Sequence, residues 1–210
     1  MTLLCTFIRI SFMRKHKYLH KLQPFLNRPF FTAKESKKSG IPSYELSYFC
    51  KIGILERIAR GIYKSVEYDL KVDFHLEELV LISSSIPKGV ICLISALYLY
   101  DLTDQMMHEY WIAVPNSSKS PKRPHTRIIR MRNMTLGKEE IKLGNYILNI
   151  FNRERTVVDS FRFLNKEIAI KALQAYLSLK GEYKPDLIKL QKYAKLLRVN
   201  INDYLLSLTT

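Results

Sequence analysis

Residues 30–63 constrain the fold most, because they place two short amphipathic stretches, a Gly-Ile-Pro turn and a basic hairpin in one continuous run. In the first stretch, Thr32 is a predicted N-cap, and Glu35, three residues on, completes the pattern of a capping box. We therefore predict a helix from about Ala33 to Ser39. Gly40 suits the left-handed position that commonly follows a helix, so the chain should turn sharply there.

A second helix is predicted directly after this turn. Pro42 fits the opening of a helix but not the interior of the preceding one, and Ser43 is a second possible N-cap. Between Ser43 and Ile52 one helical face is apolar, formed by Leu46, Phe49 and Cys50. The opposite face is predicted to point outward as a surface that reads a DNA groove, and it carries Ser43, Tyr44, Ser47, Tyr48 and Lys51.

A basic hairpin is predicted next. Gly53 should end the second helix, and the residues from Leu55 to Tyr63 read as two strands with Arg57 and Arg60 near the tip. This order of elements outlines a winged helix-turn-helix, in which the arginines could reach phosphates or the minor groove, so double-stranded DNA is the first partner to consider. The alternative is that helix-turn-helix folds also serve as scaffolds and adaptors without DNA, and that basic residues on a short helix are often simply solvated.

Three blocks of the sequence resemble one known family. The segment FTAKESKKSGIPSYELSYFCKIGILERIARGIY resembles the N-terminal winged-helix domain of the AbiEi family of type IV antitoxins, bacterial abortive-infection proteins whose genes lie beside a nucleotidyltransferase-type toxin. PKGVICLISALYLYDLTDQMMHEYWIAVP (87–115) and RERTVVDSFRFLNKEIAIKALQAYL (153–177) resemble that family's C-terminal portion. Family members often carry a basic side chain where this chain has Tyr48.

The resemblance implies a cytoplasmic, DNA-binding antitoxin that acts in phage defence. Such a protein represses its own operon by binding an inverted repeat in the promoter. Its C-terminal domain is needed to counter the neighbouring toxin, which is a functional partner and need not form a stable complex with it.

The charge of the chain agrees with a polyanionic partner. The 34 Lys and Arg residues against 19 Asp and Glu give a formal charge of +15. Six of the cations lie between Lys119 and Arg132 with no acid among them, and this run is either a loop and strand that add phosphate contacts or a solvated Pro-rich loop beside a strand. The predicted DNA-binding residues are Thr32, Lys34, Ser43, Tyr44, Ser47, Tyr48, Lys51, Arg57, Arg60, Lys122, Arg123 and Arg127.

The length predicts two domains, because a winged helix needs only about 60 to 80 residues. We assign 1–20 to an N-terminal extension, 21–70 to the winged helix-turn-helix and 71–210 to a C-terminal antitoxin domain. The predicted fold class is α+β, and the second domain should have a small antiparallel sheet and a helical C-terminus. Its expected elements are a buried helix or strand plus helix at 90–99, strands at 110–114, 127–131 and 146–151, and helices at 155–163, 167–179, 185–197 and from 202.

The first residues and the cysteines raise the question of the compartment. Met1 to Phe12 is apolar, but Arg9 interrupts it and no small-residue cleavage site follows, so we interpret it as an upstream extension with Met13 as a candidate start. The run 90–99 is too short to span a membrane. The three cysteines, Cys5, Cys50 and Cys92, are odd in number and widely spaced, which favours a reduced cytoplasmic protein.

Motifs for catalysis, cofactors or metals are weak, and we predict none of the three. The chain has no P-loop, GxGxxG, HExxH or GxSxG motif, and its histidines lack ligand spacing. Asp101, Asp104 and Glu109 could suggest a metal-dependent nuclease, but Asp is also favoured at helix ends and turns for backbone hydrogen bonds alone. Arg155 and Asp159 are spaced as a helical ion pair that pins a helix to the sheet.

Two other functions stay open at this stage. One is a nuclease or nucleotide-processing enzyme that uses the winged helix for delivery to DNA. The other is a plain transcriptional regulator without a toxin.

Overall fold

A computed structural model describes residues 17–119 and 122–209. The chain forms two compact units, the first ending at Lys71 and the second beginning at Val72. The predictions for Met1 to Phe12, the candidate start at Met13 and Cys5 lie outside the described residues. Within the described ranges, no helix is both long enough and apolar enough to cross a membrane.

The first unit combines three helices with a three-stranded sheet. The sheet is antiparallel in the order β1-β3-β2, so the hairpin predicted as two-stranded gains a third strand. The elements are α1 (Leu19–Leu26), β1 (Phe31–Thr32), α2 (Ala33–Lys38), α3 (Ser43–Lys51), β2 (Leu55–Ala59) and β3 (Ile62–Ser65).

Every element of this unit except α2 contributes a large apolar side chain to a single core. Helix α1, which begins within the predicted N-terminal extension, buries Leu22 and Phe25. The Phe25 ring lies 4.9 Å from that of Phe31 on β1, centroid to centroid. The buried cluster is Leu22, Phe25, Phe31, Ile41, Leu46, Phe49, Leu55 and Tyr63.

Helix α2 begins with the predicted capping box. The Glu35 amide donates to the Thr32 hydroxyl at 3.3 Å, and the Thr32 amide donates to the Glu35 carboxylate at 2.7 Å. Hydrogen bonds from the side chain and then the amide of Thr32 hold the pKa of Glu35 below its ordinary value. At the other end, Gly40 takes a left-handed φ of 77°, and the Ile41 amide donates to the Ser36 carbonyl at 2.9 Å.

The start of α3 differs from the prediction by one residue. Ser43 is already helical and Pro42 occupies the N-cap without a side-chain hydrogen bond, so the predicted Ser43 cap was wrong. The extended backbone of Pro42, with φ −68° and ψ 153°, is compatible with the fixed proline ring and supplies the geometry that a capping residue needs.

The second unit is α+β, as predicted, with a sheet and a helical C-terminus. Its elements are α4 (Phe74–Ser85), β4 (Val90–Ile91), α5 (Leu93–Leu99), β5 (Tyr110–Pro115), β6 (Thr126–Met131), β7 (Lys138–Leu143), β8 (Tyr146–Phe151), α6 (Arg153–Phe163), α7 (Lys166–Leu177), α8 (Leu187–Leu197) and α9 (Asn202–Thr209).

The sheet of this unit corrects the prediction of a small antiparallel sheet. It has five strands in the order β6-β5-β4-β8-β7, and the β5–β6 and β4–β8 pairs are parallel. The sequence pattern identifies strands but not their partners, and β4 pairs with a strand almost sixty positions later, Ile91 opposite Ile150. Strand β7 was missed because it is an edge strand of mostly exposed polar residues.

The Arg155–Asp159 pair is buried, in contrast to a surface pair on a helix. Both side chains are 1% exposed, and the Arg155 Nε donates to Asp159 Oδ2 at 2.6 Å. The same guanidinium donates to the carbonyls of Asn133 at 3.3 Å and Leu136 at 3.4 Å. Arg155 therefore joins α6 to the connection between β6 and β7.

Candidate nucleic-acid interface

Helix α3 presents a polar face to solvent and an apolar face to the core. Leu46 and Phe49 are fully buried, whereas Ser43, Tyr44, Ser47 and Lys51 are exposed. The division follows from the helical repeat of 3.6 residues, which brings positions three and four apart onto one side. The exposed side chains combine a cation, hydroxyls and an aromatic ring, the groups that contact phosphates and base edges.

Tyr48 departs from the predicted outward face. It is half-buried and packs against the core cluster, with its ring edge-on to Phe49 at 6.1 Å between centroids. Tyr48 is therefore a border residue, of which only part is accessible to a ligand. Cys50, predicted to be in the core, is also half-buried and carries a free thiol.

Tyr44 is the most prominent aromatic side chain on the outward face, at 65% exposed. A hydrogen bond with the side chain of Tyr18, which immediately precedes α1, raises the pKa of the Tyr44 phenol above its ordinary value. The ring of Tyr44 remains open to solvent.

The cations of α2 are exposed, but Thr32 is engaged within the chain. Lys34, Lys37 and Lys38 lie on the surface. The Thr32 hydroxyl accepts from the Glu35 amide and donates to the Glu35 carboxylate at 2.7 Å. Any contact of Thr32 with DNA would compete with the capping box that starts α2.

The tip of the hairpin is a tight turn connected to α2. Ala59 pairs with Ile62, which leaves Arg60 and Gly61 as the loop, and Gly61 has the positive φ of 77° that favours glycine. The Gly61 carbonyl accepts from the Ala33 amide at 2.8 Å, so the hairpin tip lies beside the first turn of α2. Arg60 is exposed there.

Arg57 lies on the exposed side of β2, close to the same tip. Its Nε donates to the carbonyl of Ala59 at 3.4 Å, across an irregularity in the β2–β3 register between Arg57 and Ala59. This bond is at the long end of the hydrogen-bond range, so its loss costs little if the guanidinium moves to a phosphate.

The ion pairs of the first unit leave most of its exposed cations without a carboxylate partner. Lys64 pairs with Glu56 at 3.2 Å, and Arg28 lies 3.6 Å from Glu35. In the described part of the chain, no ion pair with a carboxylate involves Lys34, Lys37, Lys38, Lys51, Arg57 or Arg60. Their unneutralised positive charge favours a polyanion over a neutral or basic ligand.

The predicted DNA contacts of the second unit have intramolecular partners, except for Lys122, which is exposed. Arg123 is half-buried and donates to the hydroxyl of Ser85 at 2.9 Å and to its carbonyl at 3.2 Å, and burial lowers the pKa of its guanidinium. Arg127 stacks over Trp111, with its guanidinium carbon 4.3 Å from the ring centroid. Arg123 anchors the loop to α4, and Arg127 offers only its outer surface.

The acidic residues before β5 do not form a metal centre. Asp101, Asp104 and Glu109 are exposed, and Asp101 occupies a left-handed turn position with φ 54° after α5. Among the residues described, no three His, Cys, Asp or Glu side chains are grouped so that they could hold a metal ion.

A comparison with known protein families matches part of the first unit. Residues 21–65 match the family described as "Transcriptional regulator, AbiEi antitoxin". The match spans α1 to β3, the elements that carry the candidate interface, and supports the resemblance noted from the sequence of this region. It does not extend to residues 87–115 or 153–177, where the resemblance stays a prediction. No curated protein matches the chain significantly.

Proposed function

We propose that this chain, whose residues 21–65 match the AbiEi antitoxin family of transcriptional regulators, is a DNA-binding antitoxin that represses its own operon. The observation that carries the proposal is the coincidence of the family match with the polar face of α3 and the exposed arginines of the adjoining hairpin, all within one compact unit. In this proposal the first unit is a winged helix-turn-helix with α3 as its recognition helix.

The division of roles follows from the chemistry of each side chain. Ser43, Tyr44, Ser47 and the accessible part of Tyr48 would meet base edges in the major groove, and Lys51 would meet a base or a phosphate. Arg57 and Arg60 would bind phosphates or the minor groove beside it, and Lys34 a phosphate. Thr32 could contribute only by giving up its bond to Glu35.

The DNA partner would be an inverted repeat in the promoter of the chain's own operon. Its two half-sites would be read by two copies of the first unit, because a palindromic site mirrors a two-fold pair of readers. In this proposal the protein works in the cytoplasm as part of a phage-defence system.

The second unit would counter the neighbouring toxin, of nucleotidyltransferase type, without a stable complex. Lys122 would add a phosphate contact, and Arg123 and Arg127 would help only where their bonds to Ser85 and stacking on Trp111 leave them accessible. The nuclease alternative has no metal-holding group of His, Cys, Asp or Glu side chains among the described residues to support it.

Mobility shifts would test the DNA-binding part of the proposal. The probes are a duplex from the region upstream of the chain's own gene and a random duplex of the same length. Arg57→Ala and Arg60→Ala should weaken binding to both probes and make the salt dependence shallower by about 0.9 for each phosphate that is no longer bound. Ser47→Ala and Lys51→Ala should instead reduce the preference for the upstream duplex, since a good base contact contributes about 1 to 3 kcal/mol of discrimination.

Lys171→Ala is the matched control for loss of one positive charge, because Lys171 is paired with Glu167 on the surface of α7. Unchanged salt slopes in both arginine variants would remove the hairpin from the interface. An equal reduction of affinity for both probes in the α3 variants would refute sequence reading by this helix.

A further inference from the structure

A short segment at the start of α1 lies against the candidate interface but was not among its predicted residues. Lys17 and Lys21 flank Tyr18, and their Nζ atoms lie 5.7 Å and 5.9 Å from the centroid of the Tyr18 ring. Both lysines are exposed, whereas Tyr18 is half-buried and packs against the core of the first unit. Both ammonium groups therefore lie within cation–π range of the Tyr18 ring.

Lys21 reaches the turn between α2 and α3. Its Nζ lies 3.0 Å from the position that a Cβ atom at Gly40 would occupy. Gly40 is the left-handed residue that ends α2 and directs the chain into α3. The ammonium group of Lys21 is thus placed over the turn of the helix-turn-helix, shortly before the start of α3.

The same segment lies close to the outward face of α3, since the nearby side chain of Tyr18 raises the pKa of the Tyr44 phenol. Tyr44 is in the first turn of α3, and its ring is the large aromatic surface of that face. The lysines on either side of Tyr18 thus bring positive charge close to the start of the proposed recognition helix.

The charges of both lysines are available to a ligand. The ion pairs of the described residues include no carboxylate partner for Lys17 or Lys21. Two cations held beside the first turn of a groove-reading helix are arranged for a backbone that runs along the groove edge, whose charges are the phosphates.

We propose that the start of α1 is a third part of the DNA interface, in which Lys17 and Lys21 bind phosphates that flank the α3 groove. This inference rests on the proposed function and extends it from the helix-turn-helix and hairpin to the helix before them. The ligand chemistry is the sugar-phosphate backbone of double-stranded DNA.

Glutamine variants of the full-length chain test the two lysines, because glutamine removes the charge and keeps a polar stem. Binding of Lys17→Gln, Lys21→Gln and the double variant to the random duplex would be measured between roughly 50 and 200 mM salt. Each single variant should make the dependence of log affinity on log salt shallower by about 0.9. The decrease in affinity over this range then becomes about threefold smaller. The double variant should show twice the change in slope. Lys171→Gln, with the same change in net charge, should keep the wild-type slope.

The outcomes separate this inference from the proposed function. Wild-type slopes in Lys17→Gln and Lys21→Gln, together with shallower slopes in Arg57→Ala and Arg60→Ala, would overturn the α1 interface and leave the DNA-binding function standing. Shallower slopes without any preference of the wild type for the upstream duplex would support the α1 contacts and refute the operator-binding function.

Discussion

Asp159→Asn should destabilise the second unit strongly, because it leaves a buried charge without a counterion. Asp159 is 1% exposed and accepts from Arg155 at 2.6 Å and from Arg162 at 2.7 Å. Asparagine is nearly the same size, so the substitution opens no cavity and removes only the negative charge. The Arg155 guanidinium would keep its carbonyl partners and lose its only carboxylate among the described residues.

The size of the effect follows from this burial. Removing one partner of a buried ion pair costs about 3 to 5 kcal/mol, and no discount for solvent applies when both side chains are 1% exposed. For a unit of this size, 1 kcal/mol shifts the unfolding midpoint by roughly 3 to 5 °C, so a decrease of about 10 to 25 °C is expected.

Tryptophan fluorescence offers a selective assay. The chain has a single tryptophan, Trp111, which lies on β5 of the second unit and is 8% exposed. Urea or thermal unfolding followed by its fluorescence therefore reports on the unit that contains Asp159. The control is Glu167→Gln, because Glu167 and Lys171 form an exposed pair on α7 that should contribute no more than about 0.5 kcal/mol.

A second variant distinguishes charge burial from packing. Replacing Arg155 by Met and Asp159 by Leu together removes both charges, and this should recover most of the lost stability. A decrease in stability below about 1 kcal/mol in Asp159→Asn would refute the argument that the pair is energetically buried. A double variant as unstable as the single one would show that the specific hydrogen bonds of Arg155 matter more than the unpaired charge.

Three further predictions concern the first unit and the division of roles. Leu46→Ala or Phe49→Ala should cost roughly 2 to 5 kcal/mol and unfold the first unit, seen as loss of DNA binding with unchanged Trp111 fluorescence; binding at wild-type affinity would contradict the assigned core. Thr32→Ala should cost about 1 kcal/mol at neutral pH. Because the folded-state pKa of Glu35 is lowered, the stability that Glu35 contributes is fully present above the ordinary pKa of 4.5 and is lost as the pH falls through the folded-state pKa. In pH-dependent unfolding, the stability of Thr32→Ala should therefore differ least from that of the wild type in acid. Residues 1–70 alone should bind DNA but fail to rescue cells that express the neighbouring toxin, whereas the full chain should rescue them; full rescue by the fragment would show that repression suffices.

The sequence predicts the elements of the first unit where the signals are local. The Thr32–Glu35 box, Gly40 and the spacing of Leu46 and Phe49 each lie within one or two helical turns, so α2, the turn and α3 could be located. Helix α1 was missed because it is short and contains Pro24, a residue type that disfavours the interior of a helix. Its buried Leu22 and Phe25, three apart, are the signal that could have revealed it, and with it Lys17, Tyr18 and Lys21.

Long-range partners could not be predicted. Arg123 and Arg127 appear in the sequence as two cations of a basic run, and only the fold brings Ser85 and Trp111 against them. The mixed sheet has the same cause, since pairing of β4 with β8 depends on how the whole unit closes. The burial of Arg155 also depends on the connection between β6 and β7, about twenty residues earlier in the chain.

The junction of β1 and α2 has a mechanical consequence. Thr32 is both the last residue of β1 and the N-cap of α2, so no linker residue separates sheet from helix. The Ala33 amide also donates to the Gly61 carbonyl at the hairpin tip, and this hydrogen bond connects the start of α2 to the hairpin. The distance between the hairpin and α2 should therefore vary little. Such a unit would engage DNA as a rigid body, lose little conformational entropy on binding, and tolerate no insertion between Thr32 and Ala33.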